Sequence, residues 1–417
     1  MSTLLSAASI FSYIGYILLA VVILLLMVLI HELGHYTAGK ILKFKINEFS
    51  VGFGPKILQK TKKNGEKVSL RLFPLGGYCA FEGEGETQVD DKKNLNKSDI
   101  KFEGDKPEQK EATYNPHAFN NQKPWKRLIV LFFGAFFNFL SGIIFSFILL
   151  LSNGYDLVQV KNITPDSINY GIIQTSDVIV GIEGDNINFV KDKYLNTLLT
   201  EHTELKYPNF VASEEQKLTD LYSYTENGKT YYMQQQSLTF NVRRDGKTIA
   251  LDNAQIMVIF NDKGEFSGWS LMPTEENTND FEIATYKYSF VETLREFIPF
   301  TFKWAWKVLV IFGRLITGQL SIKAIGGPVT TINMIASTTR ANFSNVLILL
   351  PAIAVNLAVF NLLPIPALDG FQMLFVIIEW IRKKPVKQSV INMINNIGLL
   401  VLFAFVIIVD IIQFLPF

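Results

Sequence analysis

Four histidines occur in this chain of 417 residues, and two of them stand four apart in the run His31-Glu32-Leu33-Gly34-His35. On a helix, a spacing of four turns the second side chain only about 40° from the first, so both imidazoles can reach one metal ion with Glu32 beside it. Imidazole nitrogens suit zinc, and a carboxylate next to such a centre can take a proton from water attacking a carbonyl. The run follows a stretch with no charge, 11–30. Ionisable groups beside a continuous apolar helix are expensive, which marks them as functional candidates. The competing reading is a helix end whose polar groups meet headgroups and water.

A catalytic zinc keeps three protein ligands and one open position, so a third donor must come from elsewhere. Cys79 is the only cysteine, which excludes a disulfide framework and any cysteine-rich metal knuckle. His117 lies in a polar loop and His202 in a polar insert, and neither is well placed. Asp369 is better placed, because it ends the uncharged run Asn361-Leu362-Leu363-Pro364-Ile365-Pro366-Ala367-Leu368. The two prolines must break the helix, and irregular backbone at membrane depth is tolerated where it lines a cavity. Asp369 could equally be the N-cap of a helix over 371–381.

These residues need elements to hold them. Charged residues make up 18% of the chain, below the roughly one quarter usual for soluble domains, and the shortfall falls in four uncharged runs. The runs 11–30, 128–151, 341–368 and 389–409 are each long enough to cross about 30 Å of hydrocarbon. No Lys or Arg precedes the first, so it reads as a retained span rather than a signal peptide. Lysines at 40, 43, 45, 56, 60, 62 and 63, and the cluster Arg382, Lys383, Lys384 and Lys387, put both adjoining loops in the cytoplasm and both termini outside. A fifth apolar stretch, 297–322, carries Lys303, Lys307 and Arg314 and reads as an amphipathic interfacial helix. The net charge of +1 gives no argument for nucleic-acid binding.

Within the cytoplasmic loop, Val68, Leu70 and Leu72 alternate with Ser69 and Arg71 as in a strand, and Pro74-Leu75-Gly76-Gly77 reads as a turn. Residues 82–123 read as a solvated, irregular loop. In the extracytoplasmic insert a short helix over 163–171 and a strand over 177–184 are expected, then a hairpin about Asp245-Gly246. That order is similar to a PDZ domain carrying an insertion between about 188 and 236, with Ser176 where a Gly usually precedes the Asp.

The paired motifs, His31-Glu32-Leu33-Gly34-His35 on a first span and Asn361 to Asp369-Gly370 after a third, resemble the site-2 protease family of intramembrane zinc metalloproteases. The likeness is strongest to bacterial members with an inserted PDZ region, and it spans nearly the whole chain. It implies one zinc per chain held by His31, His35 and Asp369, with Glu32 as the catalytic carboxylate. Gly134-Ala135-Phe136-Phe137-Asn138 is similar to the family's Gly-Pro-x-x-Asn, with Ala135 at the proline position; Asn138 would orient groups near the metal or simply bond between spans. Asn361 matches a position linked to substrate binding, and Ile325-Gly326-Gly327-Pro328 resembles a turn before the third span.

The expected fold is an α-helical multi-pass membrane protein with four transmembrane helices and a site-2 protease-like core. A membrane-associated β-hairpin and an extracytoplasmic PDZ-like α/β domain would be added to it. The segments are 1–42, the first span with the metal motif; 43–125, the cytoplasmic loop with the hairpin; 126–152, the second span; and 153–293, the PDZ-like domain. Then come 294–340, the interfacial helices; 341–388, the third span with the Asp-Gly motif; and 389–417, the fourth. The expected activity is cleavage of transmembrane segments of single-span proteins, such as anti-sigma factors or remnant signal peptides, at the bacterial inner membrane. The expected partners are those substrates, the lipid bilayer and an upstream site-1-type protease acting on the same substrate. Val68, Leu70 and Leu72 would hold a substrate extended by edge addition, unless the hairpin merely covers the membrane surface. The alternative function is a non-enzymatic membrane scaffold using a PDZ-like peptide-binding domain.

Overall fold

The computed structural model describes residues 7–84, 115–165, 167–211, 217–271, 281–321 and 326–414. Most of the irregular loop expected over 82–123 lies outside the described residues, as does Ile325 of the Gly-Gly-Pro turn. The chain forms two compact units, one from Met1–Phe145 with Val308–Phe417 and one from Ser146–Lys307.

The first unit opens with helix α1 (Ala7–Ile41), strands β1 (Ile46–Thr61) and β2 (Lys67–Phe81), and helix α2 (Pro124–Ser152), which runs on into the second unit. At 1.5 Å per residue the 35 residues of α1 extend about 52 Å, well beyond the hydrocarbon thickness. His31 and His35 therefore sit inside a continuous helix rather than at its end, with one and a half turns beyond them.

β1 and β2 each bend once, β1 around Gly52 and Gly54 and β2 around Pro74-Leu75-Gly76. Gly52, Gly54 and Gly76 all have positive φ, the region where a side chain is strained. The bends make four stretches of two strands. Residues 67–71 lie between 56–61 on one side and 48–51 on the other, and 48–51 is flanked in turn by 77–81. The expected Pro-Leu-Gly-Gly turn is thus a bend inside β2. The outer edges among the described residues are thus 56–61 and 77–81, and 67–71 lies inside.

The second unit is a sheet with helices. Its strands are β3 (Val158–Ile163), β4 (Val178–Ile182), β5 (Asp185–Asn186), β6 (Tyr222–Glu226), β7 (Lys229–Arg244), β8 (Lys247–Phe260), β9 (Phe266–Ser270) and β10 (Phe281–Thr285), with helix α3 (Leu195–Lys206) between β5 and β6. The order β10-β3-β4-β7-β8-β9 is antiparallel throughout, and β7 turns into β8 at Asp245-Gly246 as the sequence suggests. Arg244 forks onto the buried Asp177 at 2.6 and 2.7 Å, fixing that turn to the start of β4. The helix expected over 163–171 does not form among the described residues, where Ile163 ends β3 and 168–171 are turns. Asn169 is buried and spends its amide on both backbone groups of Gln255, at 2.6 and 2.9 Å, a tie available to a turn. Within 188–236, Leu195, Leu198 and Leu199 of α3 belong to the core beside Ile179 and Phe240.

Helix α4 (Phe290–Ile316) passes from the second unit to the first. It is absent from the four described helices long and apolar enough to cross a membrane, which cover Ser12–Ile41, Pro124–Ser152, Phe343–Leu362 and Ser389–Gln413. Phe290, Leu294, Ile298, Phe302, Trp306 and Leu309 form an exposed apolar stripe along it at helical spacing. Lys307 does not snorkel as its composition suggests: its ammonium reaches the Phe189 carbonyl at 2.8 Å, Asp192 at 2.9 Å and the Tyr194 hydroxyl at 3.0 Å.

The first unit closes with α5 (Pro328–Ala341), α6 (Val346–Leu362), α7 (Asp369–Arg382) and α8 (Gln388–Phe414). The Gly327-Pro328 pair starts α5, and the Asp410 carboxylate of α8 accepts the N–H groups of Val329 and Thr330 at 3.2 Å, capping it from a neighbouring helix. The third apolar run is helical only to Leu362, because Leu363 precedes Pro364 and is extended.

Candidate metal centre

Each ligand candidate is set by a local feature of its element. His31 and His35 share one face of α1, their rings edge to face with centroids 4.7 Å apart. Asp369 comes from the break after α6. There Ala367 has φ +73°, Leu368 takes the N-cap position and Asp369 is the first residue of α7. The capping role for Asp369 is therefore excluded, and its carboxylate is turned towards the two histidines.

The three side chains converge. His31 Nε2 lies 3.0 Å and His35 Nε2 3.2 Å from Asp369 Oδ2, and the two nitrogens are 3.1 Å apart. Zinc bonds of about 2.0 Å at tetrahedral angles would hold ligand atoms about 3.3 Å from one another, close to this triangle. Asp369 Oδ2 is buried and makes no hydrogen bond of acceptable geometry, although both nitrogens are within reach. An orphaned carboxylate oxygen aimed at two ring nitrogens is a donor set for a cation. The residues fit zinc.

Groups behind the ligands orient them. His35 Nδ1 meets the Val130 carbonyl at 2.9 Å, which puts the proton on Nδ1 and leaves the Nε2 lone pair for metal. His31 Nδ1 faces the amides of both Asn138 and Asn361 at 3.5 Å. An amide oxygen from either would accept its proton and fix the same tautomer; Asn138 Oδ1 has no partner as the side chain stands. Both asparagines singled out in the sequence thus lie behind one ligand.

Two glycines make the approach possible. A Cβ on Gly134 would fall 2.8 Å from His31 Cε1 and closer still to His35 Nε2, and one on Gly34 would strike the Phe133 backbone of α2. Gly370 and Gly398 serve the Asp369 loop in the same way, the first against the carbonyls ending α6 and the second against Pro366. Gly134 was legible as part of a motif but not as the space that the imidazoles occupy.

Glu32 lies in the same cavity of about 420 Å³, and β2 passes beside it: a Cβ on Gly77 would sit 3.6 Å from Glu32 Cγ. Tyr78, Cys79 and Phe81, from the free edge of β2, line that cavity. Val68, Leu70 and Leu72 do not. Val68 and Leu70 lie between two stretches of β1, and Leu70 and Leu72 are exposed, so the outer edge that borders the cavity is 77–81 rather than theirs. His117 contacts the Lys43 carbonyl and His202 pairs with Asp185, so neither joins the site. Sequence reasoning also missed Glu84, a further carboxyl on the cavity wall.

The model of peptidase family M50 matches residues 19–405. Curated relatives named putative zinc metalloproteases include one from Fusobacterium nucleatum, 26% identical over 94% of this chain and 97% of its own length. Another from Clostridium perfringens is 26% identical over 95% and 97%, and one from Helicobacter pylori is 27% identical over 87% and 88%.

Proposed function

The chain belongs to peptidase family M50 and is a metalloprotease of site-2 protease type, and from that premise we propose that it cuts the membrane-spanning segments of single-span proteins near the cytoplasmic face. The observation that carries the reading is the meeting of His31, His35, Asp369 and Glu32 in one cavity bordered by a free strand edge.

Zinc bound by His31, His35 and Asp369 supplies Lewis acidity to the scissile carbonyl and to the attacking water. Glu32 takes a proton from that water as its oxygen bonds to the carbonyl carbon, and returns it to the peptide nitrogen as the C–N bond breaks. Val130 holds His35 in the tautomer that leaves Nε2 free, and Asn138 or Asn361 would do the same for His31 with an amide oxygen turned to Nδ1. A helical substrate hides its peptide bonds in its own hydrogen bonds, so it must unwind locally. The edge 77–81 supports an extended segment by main-chain pairing.

The remaining parts follow the same reading. Both termini face outward at the bacterial inner membrane, and α4 lies in the outer interface with its apolar stripe in lipid. The sheet unit is a PDZ-like domain that admits substrates already shortened by an upstream site-1-type protease, anti-sigma factors or remnant signal peptides among them. The scaffold alternative has no need of Glu32 beside a complete ligand set.

The deciding experiment uses Glu32→Gln in the full-length, detergent-solubilised protein. Zinc content stays at one per chain while cleavage of a tagged single-span substrate falls by at least about a hundredfold. Cells carrying the variant accumulate single-span membrane proteins. Undiminished turnover by the variant would sink the reading.

A further inference from the structure

The cavity wall holds a third carboxyl that the mechanism above does not use. Asp369 is committed to the ligand set and Glu32 to the water; Glu84 is left over, and among the described residues lining the cavity there is no Lys or Arg to neutralise it. Its position is built. The Glu84 N–H donates to the Phe81 carbonyl, and the Phe81 N–H donates to Glu84 Oε2, both at 3.3 Å. The turn that carries it is clamped further: Glu82 N–H meets the Lys45 carbonyl at 2.9 Å, the Phe119 N–H meets the Glu82 carbonyl at 2.7 Å, and the Asn120 amide donates to the Gly83 carbonyl. Gly83 has φ +76°. Burial pushes the Glu84 carboxyl up to about 7.

Holding a carboxyl in such a place with one backbone N–H on it and no Lys or Arg on the wall is costly, so its presence calls for a partner that arrives with the substrate. Peptide hydrolysis creates one. Water gives its oxygen to the carbonyl carbon and its protons to the nitrogen, so a neutral peptide bond becomes a carboxylate and an ammonium. The edge strand 77–81 that supports the substrate runs directly into the Glu84 turn.

We propose that Glu84 is a further catalytic carboxyl, which takes a hydrogen bond from the scissile nitrogen as that nitrogen becomes the leaving ammonium. The contact is charge-assisted and strengthens only as the C–N bond breaks, so it acts on turnover more than on binding. The proposal rests on the proteolytic reading above.

The test uses full-length, zinc-loaded protein and a tagged single-span substrate that the wild type cleaves. Glu84→Gln keeps the shape of the side chain; it is expected to lower kcat at least about tenfold with KM within about threefold and zinc unchanged. Added formate restores part of the turnover to Glu84→Ala but none to Glu32→Gln. In the Glu32→Gln background, adding Glu84→Gln leaves capture of uncut substrate unaltered. Wild-type kcat in Glu84→Gln overturns the proposal, and so does a loss confined to zinc content or substrate capture, which marks a structural role. Dependence on Glu32 in the same assay separates the two readings: full activity of Glu32→Gln defeats the proteolytic mechanism, whereas an inert Glu32→Gln beside a normal Glu84→Gln defeats only this one.

Discussion

Residues around the metal centre divide into those that donate and those that make room. The donors His31, His35 and Asp369 are recognisable by their chemistry, but they reach one another only because Gly134 presents no side chain to the two imidazoles. Gly134→Ala puts a methyl within 2.8 Å of His31 Cε1 and against His35 Nε2 in a packed interior, where the rings must turn away. Zinc affinity is expected to fall by about tenfold or more, the range seen when ligand orientation is disturbed. Metal titration of the purified variant checks this. Full zinc stoichiometry at wild-type affinity would mean that the α1 and α2 backbones separate easily, and that Gly134 is not the constraint described.

At the scale of elements, the hairpin must be held to α1 if its edge is to stand beside Glu32. Glu66, at the turn between β1 and β2, is buried and accepts hydrogen bonds from Tyr36 at 2.9 Å, from Lys62 at 2.7 Å and from Lys40 near the end of α1. Burial alone would raise its carboxyl, but these donors and Asn64 outweigh it and hold it at about 2. The folded value is below the ordinary 4.5, so the tie contributes fully above pH 4.5 and is lost as pH falls from there towards 2. Glu66→Gln is therefore expected to melt at lower temperature than wild type at pH 7, with the gap closing between pH 4.5 and 2. Both proteins are compared free of metal, so that loss of zinc at low pH does not intrude. A gap that stays constant over that window would assign the effect to packing instead.

For the whole molecule, the depth of Asp369 depends on α4 not crossing the membrane. In hydrocarbon, Lys303, Lys307 and Arg314 would each cost up to about 3 kcal/mol. Lys307 is instead satisfied by oxygens of its own unit, and Phe290 to Leu309 form an exposed apolar stripe on α4, as the interfacial reading requires. Single cysteines at 319 and 342 in a Cys79→Ser background are both expected to react with a membrane-impermeant thiol reagent added from outside. Reaction at 319 from the cytoplasmic side alone would make α4 a span and reverse the third and fourth helices.

What the sequence determined by itself is whatever depends on residue type at short range. Four uncharged runs had to be helices because backbone polar groups in lipid must be satisfied within the segment, and a spacing of four had to put His31 and His35 on one face. Pro364 and Pro366 had to stop α6. The alternation through Val68, Leu70 and Leu72 correctly marked a strand, but not its neighbours: strand order comes from long-range pairing, and the bends at Gly52, Gly54 and Gly76 put 67–71 inside and 77–81 on an outer edge. For the same reason the sequence could offer Asp369 as ligand or cap without deciding between them. That choice lay with Ala367 and its positive φ, with Gly370 fitted against the end of α6 and with Gly398 receiving Pro366, contacts among residues up to about thirty positions apart. Glu84 carried no local signal at all, because one of three alternating carboxylates, Glu82, Glu84 and Glu86, in a polar stretch reads as solvated until the fold encloses it.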